Sequence, residues 1–252
     1  MVLERLEAWT QNPANQPQPE PVKKGEKGPL VKKEEAIPKP PCKRLPTSIL
    51  FYRDGLSESQ FDKCMAHEVK GIQKAFQILA EKYKQPDAKL KLTFVVVGKR
   101  HHTRFFPKTE AESHRSQPGK PVNGNVKPGL LFEDVVTTPH AYNLYLQSHA
   151  APAGTARSAH YHVLLDEMNF GSTDRRLAEI TNVFCYCFPR ALKGVSYVAP
   201  AYIADRMCER GRVWLRPWRP DPGFKLPKTD SGVAWDKDGI TRWKQGKALD
   251  LA

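Results

Sequence analysis

The stretch that decides the fold is Ser48-Ile49-Leu50-Phe51-Tyr52-Arg53-Asp54-Gly55, followed by Leu56-Ser57-Glu58-Ser59-Gln60-Phe61. A short apolar run closed by a Gly turn reads as a buried strand. Ser57 is a good N-cap for the helix that opens next, and Gln60 three residues on completes a capping box. Asp54 then stands at the carboxyl end of a strand, the edge of an open α/β sheet where ligands bind. A carboxylate there is set to hold a metal ion. The same Asp-Gly pair also makes an ordinary turn, so residues elsewhere have to choose between the two.

Downstream, Phe61, Met65, Val69, Ile72, Phe76, Leu79 and Tyr83 recur every three or four residues. This predicts one long amphipathic helix, stopped by Pro86. Residues 90–97 (LKLTFVVV) read as a second buried strand. Strand, long helix and strand make a right-handed βαβ unit with parallel pairing. Lys99-Arg100 then falls at the carboxyl end of its strand, as Asp54 does. Residues 107–129 are polar and rich in Gly and Pro, a surface loop or loose hairpin. Further strands are predicted at 130–136, 142–147 and 161–165, with a small-residue loop at 148–159. Helices are predicted at 173–188 and from Pro200, a favoured first helical position, to about 210.

Upstream, residues 1–9 (MVLERLEAW) carry Leu3, Leu6 and Trp9 three apart, a helix too short to be stable alone. Between Pro13 and Pro46 lie nine of the 22 prolines, interleaved with Lys23-Lys24, Lys27, Lys32-Lys33 and Lys43-Arg44. Such a segment cannot bury a core and reads as a disordered or extended insertion. After Trp214 the pattern dissolves, which predicts a poorly ordered tail. The net charge of +13 on 252 residues points to a polyanionic partner, nucleic acid first and an anionic membrane surface second. No apolar run is long enough to span a bilayer, and the N-terminus lacks the apolar segment of a signal peptide. Five cysteines, an odd number, suit a reducing cytoplasmic or nuclear setting better than a disulfide framework.

Three constellations carry chemistry. The first is Asp54 with Asp205 on the late helix, since distant acids brought together clamp the two cations of phosphodiester hydrolysis. With 27 acidic residues in the chain, two alone are weak grounds. The second is His101-His102, His160-Tyr161-His162 and Cys185-Tyr186-Cys187. His160 and His162 share one face of a strand, as zinc ligands could, but no CxxC pair exists. Cys185 and Cys187, two apart in one helix, point away from each other. Structural roles are favoured. The third is the set of basic and aromatic residues at loop ends, each of which taken singly also reads as a solvated surface charge: Lys99, Arg100, His149, Arg157, Arg190, Tyr202, Arg210 and Arg212. Their placement where strands give way to loops suits phosphate oxygens.

YRDGLSESQF (52–61), FVVVGKRHHTRFF (94–106), VVTTPHAYNLYLQSHAAPAGTARSAHYHVLLDE (135–167) and VAPAY (198–202) followed by Ala204-Asp205 closely resemble the PIWI domain of eukaryotic Argonaute proteins. The resemblance covers roughly residues 45 to 213. It implies an RNase H-like fold, a mixed central α/β sheet flanked by helices and incomplete at its N-terminal strands. Residues 1–12 become the end of a PIWI helix, 13–44 an insertion, 45–215 a partial domain and 216–252 a tail. In the family, slicing uses Asp, Glu, Asp and a fourth His or Asp around two Mg2+ ions, with Mn2+ an alternative. Asp54 matches the third member and Asp205 the fourth. Lys99, Arg100, His149, Arg157, Arg190, Ser196 and Tyr202 match positions that contact guide-strand phosphates, and Arg210 an arginine that reaches the 5′-phosphate pocket.

The departures bear on mechanism. No segment of this chain supplies the first Asp or the Glu, and the PAZ, MID and N-terminal domains are absent. The usual apolar C-terminal ending is replaced by residues 235–252, and Pro189 is unexpected beside Arg190. The implied function is guide-RNA and target-RNA binding in RNA silencing with half of a two-metal endoribonuclease site, the isolated chain being inactive. The alternatives are a slicer completed by the upstream PIWI segment and a protein-interaction module for tryptophan-bearing silencing partners.

Overall fold

The computed structural model describes residues 2–15, 44–115, 123–171, 175–215, 228–229 and 232–233. Most of the expected insertion at 13–44 and of the expected tail at 216–252 therefore lies outside the described residues. Five strands form one mixed sheet: β1 (Ser48–Asp54), β2 (Lys91–Gly98), β3 (Leu130–Phe132), β4 (Asn143–Gln147) and β5 (Ala159–Asp166). Their order is β1-β2-β5-β4-β3, with β1 parallel to β2 and every other pair antiparallel. The expected parallel pairing of the first two strands is present, with Asp54 opposite Val97.

The faces of the sheet are set by alternation along the strands. Val95, Val97, Tyr52, Tyr161 and Ala159 point toward α4 (Arg176–Cys185) and α5 (Ala199–Leu215), where Leu177, Ala178, Cys185, Val198 and Ala201 close the core. Leu92, Phe94, Val96, Ile49 and Phe51 point the other way, onto Cys64, Val69 and Ile72. β2 is buried on both faces.

The helix after β1 departs from expectation. The capping box of Ser57 and Gln60 is present, opening a 3-10 turn Glu58–Gln60. Then α2 (Phe61–Cys64) gives way to a π-helical turn, Met65–Val69, before α3 (Lys70–Lys82). The pattern contains the reason. Phe61, Met65 and Val69 are spaced four and four, and eight residues of ideal α-helix overshoot two turns by about 80°. The wider turn absorbs the excess and returns Val69 to the sheet.

α1 (Val2–Gln11) is held by tertiary contact. Leu6 is buried against Leu45, Phe76, Leu79 and Ala80, and Glu7 pairs with Lys82. The predicted strand 130–136 stops at Phe132, because Val135 adopts φ +65 and Val136 N–H turns back to Asp134 O at 2.7 Å. The helix expected over 173–188 is Arg176–Cys185, so Cys187 lies beyond its end, a correction to the placing of both cysteines in one helix. Cys185 is buried and Cys187 exposed. The last helix runs about five residues past its expected end, and a small ladder, β6 (Lys228–Thr229) with β7 (Gly232–Val233), lies within the span expected to be a poorly ordered tail, most of which is outside the described residues. Among the described residues no helix is long and apolar enough to cross a membrane.

Candidate functional site

The site gathers at the carboxyl ends of β1 and β2. Asp54 is the last residue of β1. Gly55 then turns at φ +60, a conformation suited to glycine, and its N–H donates to Val97 O at 3.0 Å. Asp54 shares a strand face with Tyr52 and Leu50, the side on which α5 packs. Asp205 lies on the second turn of α5. The two carboxylates are electrostatic neighbours: burial first, then the charge of Asp205, pushes the Asp54 carboxyl above its usual range, against Arg53, Arg100 and Lys99.

Lys99 follows β2 directly and is half-buried. Its amine donates to Ser196 Oγ and lies 5.4 Å from the centre of the Tyr197 ring. Burial, and then the charge of Arg157, lower its pKa, while Asp54 opposes them. Burial, with Lys99 as second cause, brings His149 down to about 4, so its imidazole is neutral at pH 7. Gln147 Nε2 donates to His149 O at 2.7 Å and fixes its backbone. Lys99, Arg157 and His149 thus stand in one neighbourhood, a basic patch next to two acids.

Residues 194–198 join the two halves. Ser148 Oγ donates to Val195 O at 2.6 Å, and Val195 N–H donates to Cys185 O at 2.9 Å. Val198 N–H donates to Tyr161 Oη at 3.0 Å, one residue before α5 begins. Tyr197, which sequence reasoning passed over, packs at 4.9 Å on Tyr202, and burial first, then both carboxylates, raises the pKa of its hydroxyl. Its only sequence cue is its place between Ser196 and the VAPAY stretch. Tyr202 also meets Phe188 at 4.6 Å and carries the Arg206 guanidinium over its ring at 5.3 Å.

Of the predicted residues, Asp54, Asp205, Lys99, Arg100, Arg157, His149 and Ser196 are linked by these contacts and fields, with Tyr202 one ring away through Tyr197. Arg190 is exposed on the turn after Phe188, which Pro189 helps to make outside α4. Arg210 is exposed on α5, about 140° around the helix from Asp205.

The histidines take structural roles. His160 stacks on Tyr145 at 4.2 Å and faces Asn143 Oδ1 at 3.1 Å, while His162 packs on Phe61 at 4.7 Å. Among the described residues no group of three or more His, Cys, Asp or Glu could hold a metal ion. Asp54 and Asp205 do suit a hard divalent cation, whose octahedral shell takes oxygen. They are two donors, and water would fill most of the remaining shell.

Comparison with known proteins follows from this geometry. The Piwi domain family model matches residues 39–216. Protein argonaute 5 of Arabidopsis thaliana is 42% identical over 188 residues, covering 75% of this chain and 18% of that protein. Protein argonaute PNH1 of Oryza sativa subsp. japonica is 41% identical over 172 residues, covering 68% and 16%. The chain thus spans less than a fifth of the length of these relatives. Among solved structures, Kluyveromyces polysporus Argonaute with a guide RNA aligns at TM-score 0.58 and 34% identity, over 67% of this chain and 19% of that one. The C-terminal lobe of a budding yeast Argonaute aligns at 0.57 and 33%, over 67% and 33%. With its mixed five-stranded sheet, its flanking helices and these relatives, the chain belongs to the Piwi domain family of Argonaute proteins and has the RNase H-like fold.

Proposed function

We propose that this chain binds the phosphate backbone of a small guide RNA and its paired target in RNA-guided silencing, and that it carries part of a two-metal endoribonuclease site. The observation that carries this reading is the half-buried Lys99 amine beside Arg157, His149 and Ser196, adjacent to the Asp54–Asp205 pair. A desolvated ammonium with a hydroxyl and a fixed backbone around it favours a phosphate oxygen over water. Neutral His149 adds a hydrogen bond and no charge. Arg100, exposed beside Asp54, offers a further cation, and Arg190 and Arg210 extend the basic surface toward other phosphates. The Tyr202 ring gives α5 an aromatic wall.

Argonaute PIWI domains are in general dependent on divalent metal. Asp54 and Asp205 would hold Mg2+ or Mn2+ here, and the ion would supply the positive charge that phosphodiester hydrolysis requires. The chain's own part is to hold the two acids together and to keep the phosphates beside them. Two carboxylates leave the ion mostly hydrated, so the isolated chain binds RNA and does not cut it. A site completed by a further PIWI segment would cut.

The test is fluorescence anisotropy with a short 5′-phosphorylated single-stranded RNA across a salt series. Each phosphate contact contributes about −0.7 to the slope of log K against log salt for single strands. Lys99→Ala and Arg157→Ala should each weaken binding and flatten the slope by about one contact. Binding that ignores both substitutions and the salt concentration refutes the proposal. Mn2+-dependent cleavage of guide-paired RNA by the pure chain refutes the partial-site part alone.

A further inference from the structure

Arg53 and Asp54 are neighbours on β1 and so lie on opposite faces of the sheet. Asp54 is on the α5 side. Arg53 is on the side of α2 and the π turn, in line with Ile49 and Phe51. Its guanidinium closes around the end of the strand. Nε donates to Glu68 Oε1 at 3.2 Å and to Oε2 at 3.1 Å, while the terminal nitrogen donates to Asp54 O and, at 3.4 Å, to Gly55 O. One side chain thus grips both carbonyls of the turn that carries Asp54, and a carboxylate grips that side chain from behind.

Glu68 reaches this position from within the π turn Met65–Val69. An ordinary α-turn would set each following residue about 100° away around the axis. Single π turns are rare in helices and collect at functional sites. Beyond Asp54 the β1–β2 ladder has ended, and Gly55 N–H to Val97 O is its last backbone tie. Asp54 is thus held on one side by its pairing opposite Val97, and on the other by Arg53, which takes its carbonyl and that of Gly55.

We infer that Arg53 and Glu68 are positioning residues for the cation site at Asp54, the π turn being the feature that delivers Glu68 to the pair. This rests on the reading of Asp54 and Asp205 as metal donors. Partners that orient a liganding carboxylate typically change metal affinity by about 10- to 100-fold when removed. Lysine in place of Arg53 keeps charge and stem but cannot fork to a carboxylate and two carbonyls at once.

The experiment uses the full chain with Mn2+ as probe, its binding followed by water-proton relaxation, alongside RNA anisotropy and thermal unfolding. Glu68→Gln and Arg53→Lys should each weaken Mn2+ binding by about tenfold or more while RNA affinity stays within about twofold of the parent. If Glu68→Gln fails to fold, Arg53→Lys carries the test. Asp54→Asn separates the two layers of inference. Parent binding no tighter than that of Asp54→Asn removes the metal reading and this inference with it. Binding lost in Asp54→Asn but unchanged in Glu68→Gln and Arg53→Lys overturns the inference alone. Mn2+ and RNA affinities that fall together overturn it too, since they report a merely structural pair.

Discussion

Gly194→Ala should separate the two segments that carry His149 and Ser196, and the cost follows from three distances. A Cβ at position 194 would lie 2.6 Å from Ser148 O and 2.9 and 3.0 Å from two ring carbons of Tyr186. The first is 0.8 Å inside the 3.4 Å at which ordinary contact begins. The Ser148 carbonyl does not yield easily, whereas the Tyr186 ring is about half exposed. Ser148 is fully buried and donates through Oγ to Val195 O, and its own carbonyl accepts from Tyr186 Oη at 3.2 Å. Val195 N–H is tied to Cys185 O. Forcing a methyl group into a packed site costs about 1–3 kcal/mol. With a buried backbone carbonyl in the way, about 2–3 kcal/mol is expected even as the Tyr186 ring swings aside, or roughly 4–12 °C in Tm for a domain of this size. Because the strain falls between the residue before His149 and the residue two before Ser196, RNA affinity should fall as well. The assay is urea unfolding with RNA anisotropy, and Gly71→Ala is the control. Position 71 lies in α3 with nothing within 4 Å of an added Cβ. There, alanine should stabilise by about 0.5–1 kcal/mol through helix propensity. A Gly194→Ala chain within about 0.5 kcal/mol of the parent would show that these segments do not press on each other as the distances require.

Tyr161→Phe removes the acceptor of Val198 N–H in a fully buried place, so a loss of about 1–3 kcal/mol is expected in urea titrations. Acid should weaken the fold through His149 and His160, both depressed to about 4. The unfolded chain takes up protons near 6.5 and the folded one only near 4, so stability is complete above about pH 6.5 and drains away as pH falls toward 4. His160→Gln should flatten the urea midpoint between pH 7 and 5, whereas an equally steep fall in that variant contradicts the assignment. Val135 is wholly exposed at φ +65, where a β-branched side chain is disfavoured. Val135→Asn should stabilise by about 0.5–1 kcal/mol, and a calorimetric Tm at or below the parent's contradicts the stated cost.

Much of the fold was legible because its strands and helices announce themselves locally. β1 and β2 are apolar runs bounded by turns, and their parallel pairing follows from the long helix between them. Asp54 and Lys99-Arg100 were legible for the same reason, since each stands immediately past a strand end. The π turn, the early stop of β3 and the end of α4 were not. They depend on how a helix meets the sheet, on a left-handed Val135 and on where the chain must leave Cys185. Tyr197 was missed because an aromatic residue between a serine and a valine carries no periodic cue.

The sequence by itself determined the mixed α/β character, the strand ends that bear Asp54 and Lys99, and the cationic balance of the chain. Periodicity and turn chemistry act over a few residues and leave their mark in the string. Only the tertiary structure decided that Asp205 comes within electrostatic reach of Asp54, that Ser196 and Tyr197 close on Lys99, and that Arg53 is gripped by Glu68. Those pairings join residues 15 to 151 positions apart, and nothing local in the chain records which distant side chain will arrive when two layers pack against one sheet.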